Sequence, residues 1–227
     1  MENNNQVPVT GRRTFLAKVA TGLAAVGLGS LVPVSKLKAA NSLVEGVSEA
    51  DKWFLKIQGK HRIVFDATSH HEGFPLAWSR IFMNTNNDTG ALDNDINVVV
   101  ILRHDAIALA MEDRLWGKYQ FGKLFKINDT VAKTASLRNM YWKPQPGELH
   151  FPDMSIDQLQ KRGVMFCVCE AAITVYSSIV AKEMGMDAAE IKKDWLSGLL
   201  PSIQVVPSGV WAVGRAQEHG CAYCFAG

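Results

Sequence analysis

Four cysteines and a group of histidines carry the chemistry this sequence offers. Val164-Met165-Phe166-Cys167-Val168-Cys169 is a hydrophobic run leading into an alanine-rich stretch, and Cys221-Ala222-Tyr223-Cys224 stands near the C-terminus. The run reads as a strand that hands over to a helix, which puts Cys169 at a helix start. Unpaired amide N–H groups there stabilise a thiolate, the form that exchanges disulfides or accepts a sulfur atom. Glu170 works against that effect unless it points away. Cys167, two residues deeper in the strand, reads as a buried small hydrophobe. The terminal Cys-x-x-Cys lacks the helix under its first cysteine that a thioredoxin-like site needs, and Phe225 stands where a haem-attachment motif has histidine. Three readings stay open for Cys221 and Cys224: a disulfide, a four-cysteine metal site shared with Cys167 and Cys169, or sheet packing. No cofactor is implied with certainty, and a metal ion is the one candidate the residues raise.

These groups need a scaffold, and the pattern along the chain supplies one. Leu43–Ile57 reads as a leading helix ending near Gly59. Arg62–Ala67 reads as a buried strand, Pro75 opens a helix running to about Met83, and Asn84–Asp95 is turn-rich. Ile96–Leu102 is a nearly continuous β-branched run, as expected of a strand covered on both faces. A helix restarts at Ala106–Met111. Ser155-Ile156-Asp157-Gln158 has the pattern of a capping box, and Gly163 suits the stop of the helix that follows. Val164–Cys169 is the third strand and Ala171–Met184 the next helix. Asp187 opens another helix, Ile203–Val206 is a fourth strand, Ser208 caps a helix that Gly220 ends, and Cys221–Phe225 is a short fifth strand. Strands alternating with helices predict an α/β fold: an open, mostly parallel five-stranded sheet with helices on both faces, three layers in a flavodoxin-like arrangement. The aromatic-rich insert at about 112–154 holds Trp116, Tyr119, Phe121, Phe125, Tyr141, Trp142 and Phe151, and reads either as a lid or contact surface or as extra core.

In an open parallel sheet, ligands bind beyond the carboxyl ends of the strands. That edge collects Thr68, Ser69, His70, His71 and Glu72 after the first strand, then Arg103, His104 and Asp105 after the second. Cys169-Glu170 and Pro207-Ser208 follow the third and fourth. The expected site therefore has Cys169 as its reactive group and His70, His71, Arg103 and His104 as substrate-binding groups.

Of the 227 residues, 20% are charged and the net charge is only +2. Residues 1–40 hold Arg12, Arg13, Lys18, Lys36 and Lys38 against Glu2 alone, so the remainder is mildly acidic and has no electrostatic footprint for nucleic acid. Gly11-Arg12-Arg13-Thr14-Phe15-Leu16-Ala17-Lys18 followed by the soft apolar run Val19–Val34 reads as a twin-arginine export signal. Residues 1–40 are accordingly assigned to that signal and 41–227 to a single domain, with a periplasmic or exported location. Leu37-Lys38-Ala39-Ala40 is not a clean cleavage site, and membrane contact follows only if the signal is retained.

From about Lys60 onward the chain resembles the DsrE/DsrF-like superfamily of sulfur-relay proteins. The residues that carry the resemblance are the strand Asn97–Leu102, Gly163-Val164-Met165-Phe166-Cys167-Val168-Cys169 with the helix after it, and Leu200-Pro201-Ser202-Ile203-Gln204-Val205-Val206-Pro207-Ser208-Gly209-Val210. The ending Gly220-Cys221-Ala222-Tyr223 adds to them. The resemblance implies that Cys169 carries sulfane sulfur as a persulfide, with His70, His71, His104 or Arg103 stabilising the anion. It also implies a homo-oligomer and a protein that donates or accepts sulfur. The export signal, the insert and the terminal cysteine pair depart from the small cytoplasmic members. A non-catalytic periplasmic protein holding a metal or redox cofactor through cysteines and histidines is the competing reading, and a structural subunit of an exported complex is the third.

Overall fold

β-Branched and aliphatic runs become strands here because each is long enough to cross a sheet and apolar enough to be covered on both sides. The computed structural model describes residues 48–227; the expected export signal and the start of the expected leading helix lie outside the described residues. The strands are β1 (His61–Ala67), β2 (Ile96–Leu102), β3 (Met165–Cys169), β4 (Ile203–Val206) and β5 (Ala222–Phe225). They form one sheet in the order β4-β3-β2-β1-β5, and every pairing is parallel. The α/β architecture expected from the sequence is the one observed, with strand limits within a residue of those expected.

The helices are α1 (Glu49–Phe54), α2 (Phe74–Asp88), α3 (Asp113–Tyr119), α4 (Phe121–Leu124), α5 (Ile156–Lys161), α6 (Glu170–Met184), α7 (Ala188–Ser197) and α8 (Gly209–Glu218). Alternation along β2 shows how they are layered. Val98, Val100 and Leu102 face a large core with Leu76 and Met83 of α2, Ile173 of α6 and Trp195 of α7. Val99 and Ile101 face a smaller core with Trp53 and Phe54 of α1 and Ala212 and Ala216 of α8. Successive residues of a strand point to opposite faces, so one unbroken apolar run serves both layers.

Local signals fix the helix ends. Asp187 accepts the Ala189 and Glu190 amides at 2.9 Å and opens α7, and Ser208 accepts the Trp211 amide at 3.2 Å and opens α8. Each removes an orphan donor from a first turn. Gly163 has φ +90°, which a side chain would resist, and it ends α5.

Three expectations are corrected. Asn84–Asp88 belongs to α2 rather than to a turn: Arg162 donates to Asn84 Oδ1 at 2.6 Å and to Asn87 Oδ1 at 2.7 Å, so contacts from another element outweigh the turn preference of asparagine. His104–Ala110 is a 3-10 segment, not an α-helix. Ser155 caps no amide of α5; its hydroxyl donates to Asp157 Oδ1 at 2.7 Å.

Most of the insert's named aromatic residues resolve as core. Trp116, Tyr119, Phe121, Phe125 and Tyr141 are buried, and Trp116, Tyr119 and Phe121 interlock with each other or with Trp195 at centroid distances of 4.7–6.2 Å. Trp116 Nε1 donates to the Ala108 carbonyl at 3.1 Å. Phe151 alone of the named aromatics is exposed.

Candidate functional site

The sheet's connectivity selects one point on its carboxyl edge. From β1 to β4 the chain steps outward along the sheet, with its crossovers on the face that carries α2, α6 and α7. After β4 it returns on the opposite face through α8 to lay β5 beside β1. The chains leaving the adjacent strands β3 and β4 therefore part to opposite faces and open a crevice between them, the place where open α/β sheets bind ligands. A cavity of about 380 Å³ lies there, lined by Cys169, Arg103, His104, Tyr176, Ser208 and the aliphatic side chains of α6 and Val210.

Cys169 is the last residue of β3 and the N-cap of α6. Its Sγ accepts the Ala172 amide at 3.3 Å, so the thiol sits on the positive end of a helix of 15 residues. Glu170 does not oppose this, because Lys192 holds its carboxylate at 2.7 Å. The Ala171 amide donates to the Pro207 carbonyl at 3.2 Å and ties the two departing loops together. Gly209, the first residue of α8, passes so close to Arg103 that an added Cβ would lie 2.7 Å from its Cβ and Cδ. That contact demands glycine.

Arg103 is oriented from below. Its Nε and Nη2 donate to the two oxygens of Asp66 at 2.6 and 2.8 Å, and the Tyr223 hydroxyl donates to Asp66 Oδ2 at 3.0 Å. Asp66 is buried, with 3% of its side chain exposed, against 18% for Arg103. The pair raises the affinity of Arg103 for its proton, with smaller support from Tyr223 and Cys169. Tyr176 lies seven residues after Cys169, two turns along the same face of α6, and its hydroxyl donates to Asp105. Burial first, then that carboxylate, push its phenol up, so it stays protonated.

The expected cluster of histidines divides. His104 stands with Cys169, but His70 and His71 do not. His71 and Glu72 adopt left-handed backbone, φ +38° and +51°, which turns the chain off the β1 end. His71 packs on Phe74 at 5.2 Å and Trp78 at 6.0 Å. His70 lines a second cavity of about 500 Å³ whose far wall is the insert, with Glu72, Lys126, Lys133, Tyr141, Glu148 and His150 among its lining groups. There its Nδ1 accepts the Glu72 amide at 3.2 Å and lies 3.4 Å from the Tyr141 hydroxyl. Burial lowers the pKa of His70, while Asp105 and then Glu72 act the other way.

The cysteines divide as well. All four are free thiols. Cys167 and Cys221 pack in the smaller core, Cys169 in the larger, and Cys224 against the larger. Two strands separate β3 from β5, about 14 Å at ordinary strand spacing, so the four sulfurs cannot meet on one ion whose Zn–S bonds are ~2.3 Å. Among the described residues no group of three or more His, Cys, Asp or Glu side chains is placed to hold a metal. Burial pushes the Cys167 thiol up beyond reach of ordinary pH, and the Cys221 thiol up to about 11.

Sequence reasoning singled out Cys169, Arg103 and His104 but missed Tyr176, Asp66 and Tyr223. Tyr176 could have been found from its seven-residue spacing. Asp66 carries its own signal, a lone carboxylate within the apolar run Ile63–Ala67.

No family model matches this sequence, and no curated protein matches it. Among solved structures, a protein of unknown function, MTH1491 from Methanobacterium thermoautotrophicum, is similar to 73% of this chain and 98% of its own length. The identity is 19% and the TM-score 0.37.

Proposed function

We propose that this protein is an exported, DsrE-like carrier of sulfane sulfur that works through a single thiol, Cys169. The observation that carries the reading is the isolation of that thiol at the switch-point crevice. It caps a long helix, it opens to a cavity, and it has no second cysteine placed beside it there. Cys167, two residues back, packs into the opposite core, and Cys221 and Cys224 lie just before and on β5, across the sheet. A thioredoxin-like cycle needs a resolving cysteine; a carrier that forms a persulfide and passes its outer sulfur on needs one thiolate.

With thiosulfate the step balances without an external oxidant. The Cys169 thiolate attacks the sulfane sulfur, a new S–S bond forms, the old one breaks, and sulfite leaves with the electron pair. The resemblance of residues 163–169 and 200–210 to the sulfur-relay family supports the same role. Export through the twin-arginine route, a homo-oligomeric assembly and a protein that supplies or receives the sulfur belong to this reading. The competing metal-holding role loses its ligands to the division of the cysteines described above.

The test is intact mass after incubating reduced protein with polysulfide, thiosulfate or an organic persulfide. Addition of one sulfur atom, removed by cyanide and absent from Cys169→Ser, is expected. Absence of any addition with all three donors, or addition that persists in Cys169→Ser, overturns the reading.

A further inference from the structure

The polar groups around Cys169 are partly committed to other partners. Arg103 gives Nε and Nη2 to Asp66, Tyr176 gives its hydroxyl hydrogen to Asp105, and the Ser208 hydroxyl oxygen accepts the Trp211 amide. Glu170, beside the thiol, is paired with Lys192. Arg103 keeps its other N–H groups and Ser208 its hydroxyl hydrogen, but most of the wall that meets an incoming molecule is aliphatic: Ala171, Ala172, Val175 and Ile179 on one side, Gly209 and Val210 on the other. Val175, Ile179 and Val210 are exposed at 58%, 42% and 71%, so the apolar wall continues outward to the rim. His104, exposed, stands at the mouth.

An uncharged organic body gains by burying its surface in such a crevice. The cavity, about 380 Å³, falls in the range of small-molecule sites.

We infer that the sulfur donor for Cys169 is a small organic hydropersulfide, R–S–SH, whose uncharged apolar R group lies against Val175, Ile179 and Val210. This rests on the sulfane-carrier reading and names its substrate class. The Cys169 thiolate attacks the outer sulfur, Cys–S–SH forms, the donor's S–S bond breaks, and R–S⁻ leaves with the electron pair. The R group then occupies the wall opposite the thiol that displaced it.

The experiment measures the rate of single-sulfur addition to the full-length reduced protein, by intact mass, with benzyl hydropersulfide and with glutathione hydropersulfide. Each rate is divided by that of N-acetylcysteine with the same donor, which removes the donors' intrinsic reactivity. The benzyl donor is expected to be preferred by about tenfold or more, the effect of burying two methylene equivalents. A normalised preference below about tenfold overturns the inference while leaving the carrier reading standing. No addition from either of these donors, nor from thiosulfate or polysulfide, removes the carrier reading itself. Val175→Asp places a carboxylate on the exposed part of the wall, where the fold tolerates it. It should reduce the preference at least about threefold, and an unchanged preference in folded Val175→Asp also overturns the inference.

Discussion

Replacing Arg103 by methionine should strip the candidate site of its anchor, and the size of the effect can be worked from the geometry. The substitution keeps the aliphatic stem that packs on Gly209 but removes both hydrogen bonds to Asp66. The carboxylate then remains in a place where 3% of its side chain reaches solvent, with Tyr223 as its one side-chain donor. Breaking a buried pair by removing one partner costs about 3–5 kcal/mol, because the other charge is left uncompensated. The remaining Tyr223 bond offsets about 1 kcal/mol of that, so we expect a net loss of about 2–4 kcal/mol. Urea unfolding followed by circular dichroism reads this directly. With a slope of about 2 kcal/mol/M the midpoint falls by about 1–2 M. Adding Asp66→Asn to Arg103→Met should restore more than about 1 kcal/mol, because the stranded charge is gone. If Arg103→Met costs under about 1 kcal/mol, or the double variant is no more stable than the single one, the buried-pair account of the site's floor is wrong.

Other consequences are tested more simply. Gly209→Ala should lower the thermal midpoint, by about 1–3 kcal/mol of stability, because its Cβ meets the Cβ and Cδ of Arg103 at 2.7 Å; a change under about 0.5 kcal/mol contradicts the contact. Iodoacetamide applied to the native protein at about pH 8 should label Cys169 and spare Cys167 and Cys221, whose thiols burial pushes up; peptide mapping that finds Cys167 labelled first refutes the placement. His70 has a folded-state pKa below its ordinary ~6.5, so the unfolded chain binds its proton more readily. Stability should therefore be full above about pH 6.5 and fall as pH drops through that value toward the lower folded pKa. His70→Gln should flatten that part of the profile, and Asp105→Asn should lower the His70 pKa further in an NMR titration. A rise in that pKa would contradict the proximity of Asp105.

The strands were legible because Val98–Leu102 and Val164–Cys169 are apolar at every position, the pattern expected of a doubly covered sheet. Strand ends then located the functional edge, and Cys169 on it. What strand ends cannot convey is where the chain heads next. His70 and Cys169 share the edge, yet the left-handed residues His71 and Glu72 and the docking of Tyr141 take His70 into a different cavity. Turn composition misled at Asn84–Asp88 because the deciding partner, Arg162, is 75–78 positions away. The cysteines were close in sequence and separate in space, since sheet face and strand order, not spacing, decide which sulfurs meet. Asp66 and Tyr223 escaped notice for the same reason, lying 157 positions apart.

That last pairing bears on how the protein reaches its native state. β1 gains one neighbour, β2, soon after it is made, but its other neighbour is β5. Until β5 arrives, β1 is an open edge of unpaired amides and carbonyls, and Asp66 lacks the hydroxyl that completes its shell. Contacts of such long sequence separation form late and slowly, and an uncovered apolar edge invites association with other chains. The docking of β5 is thus where a kinetic trap would form, and a chain shortened by its final strand should aggregate during refolding at concentrations where the intact chain does not.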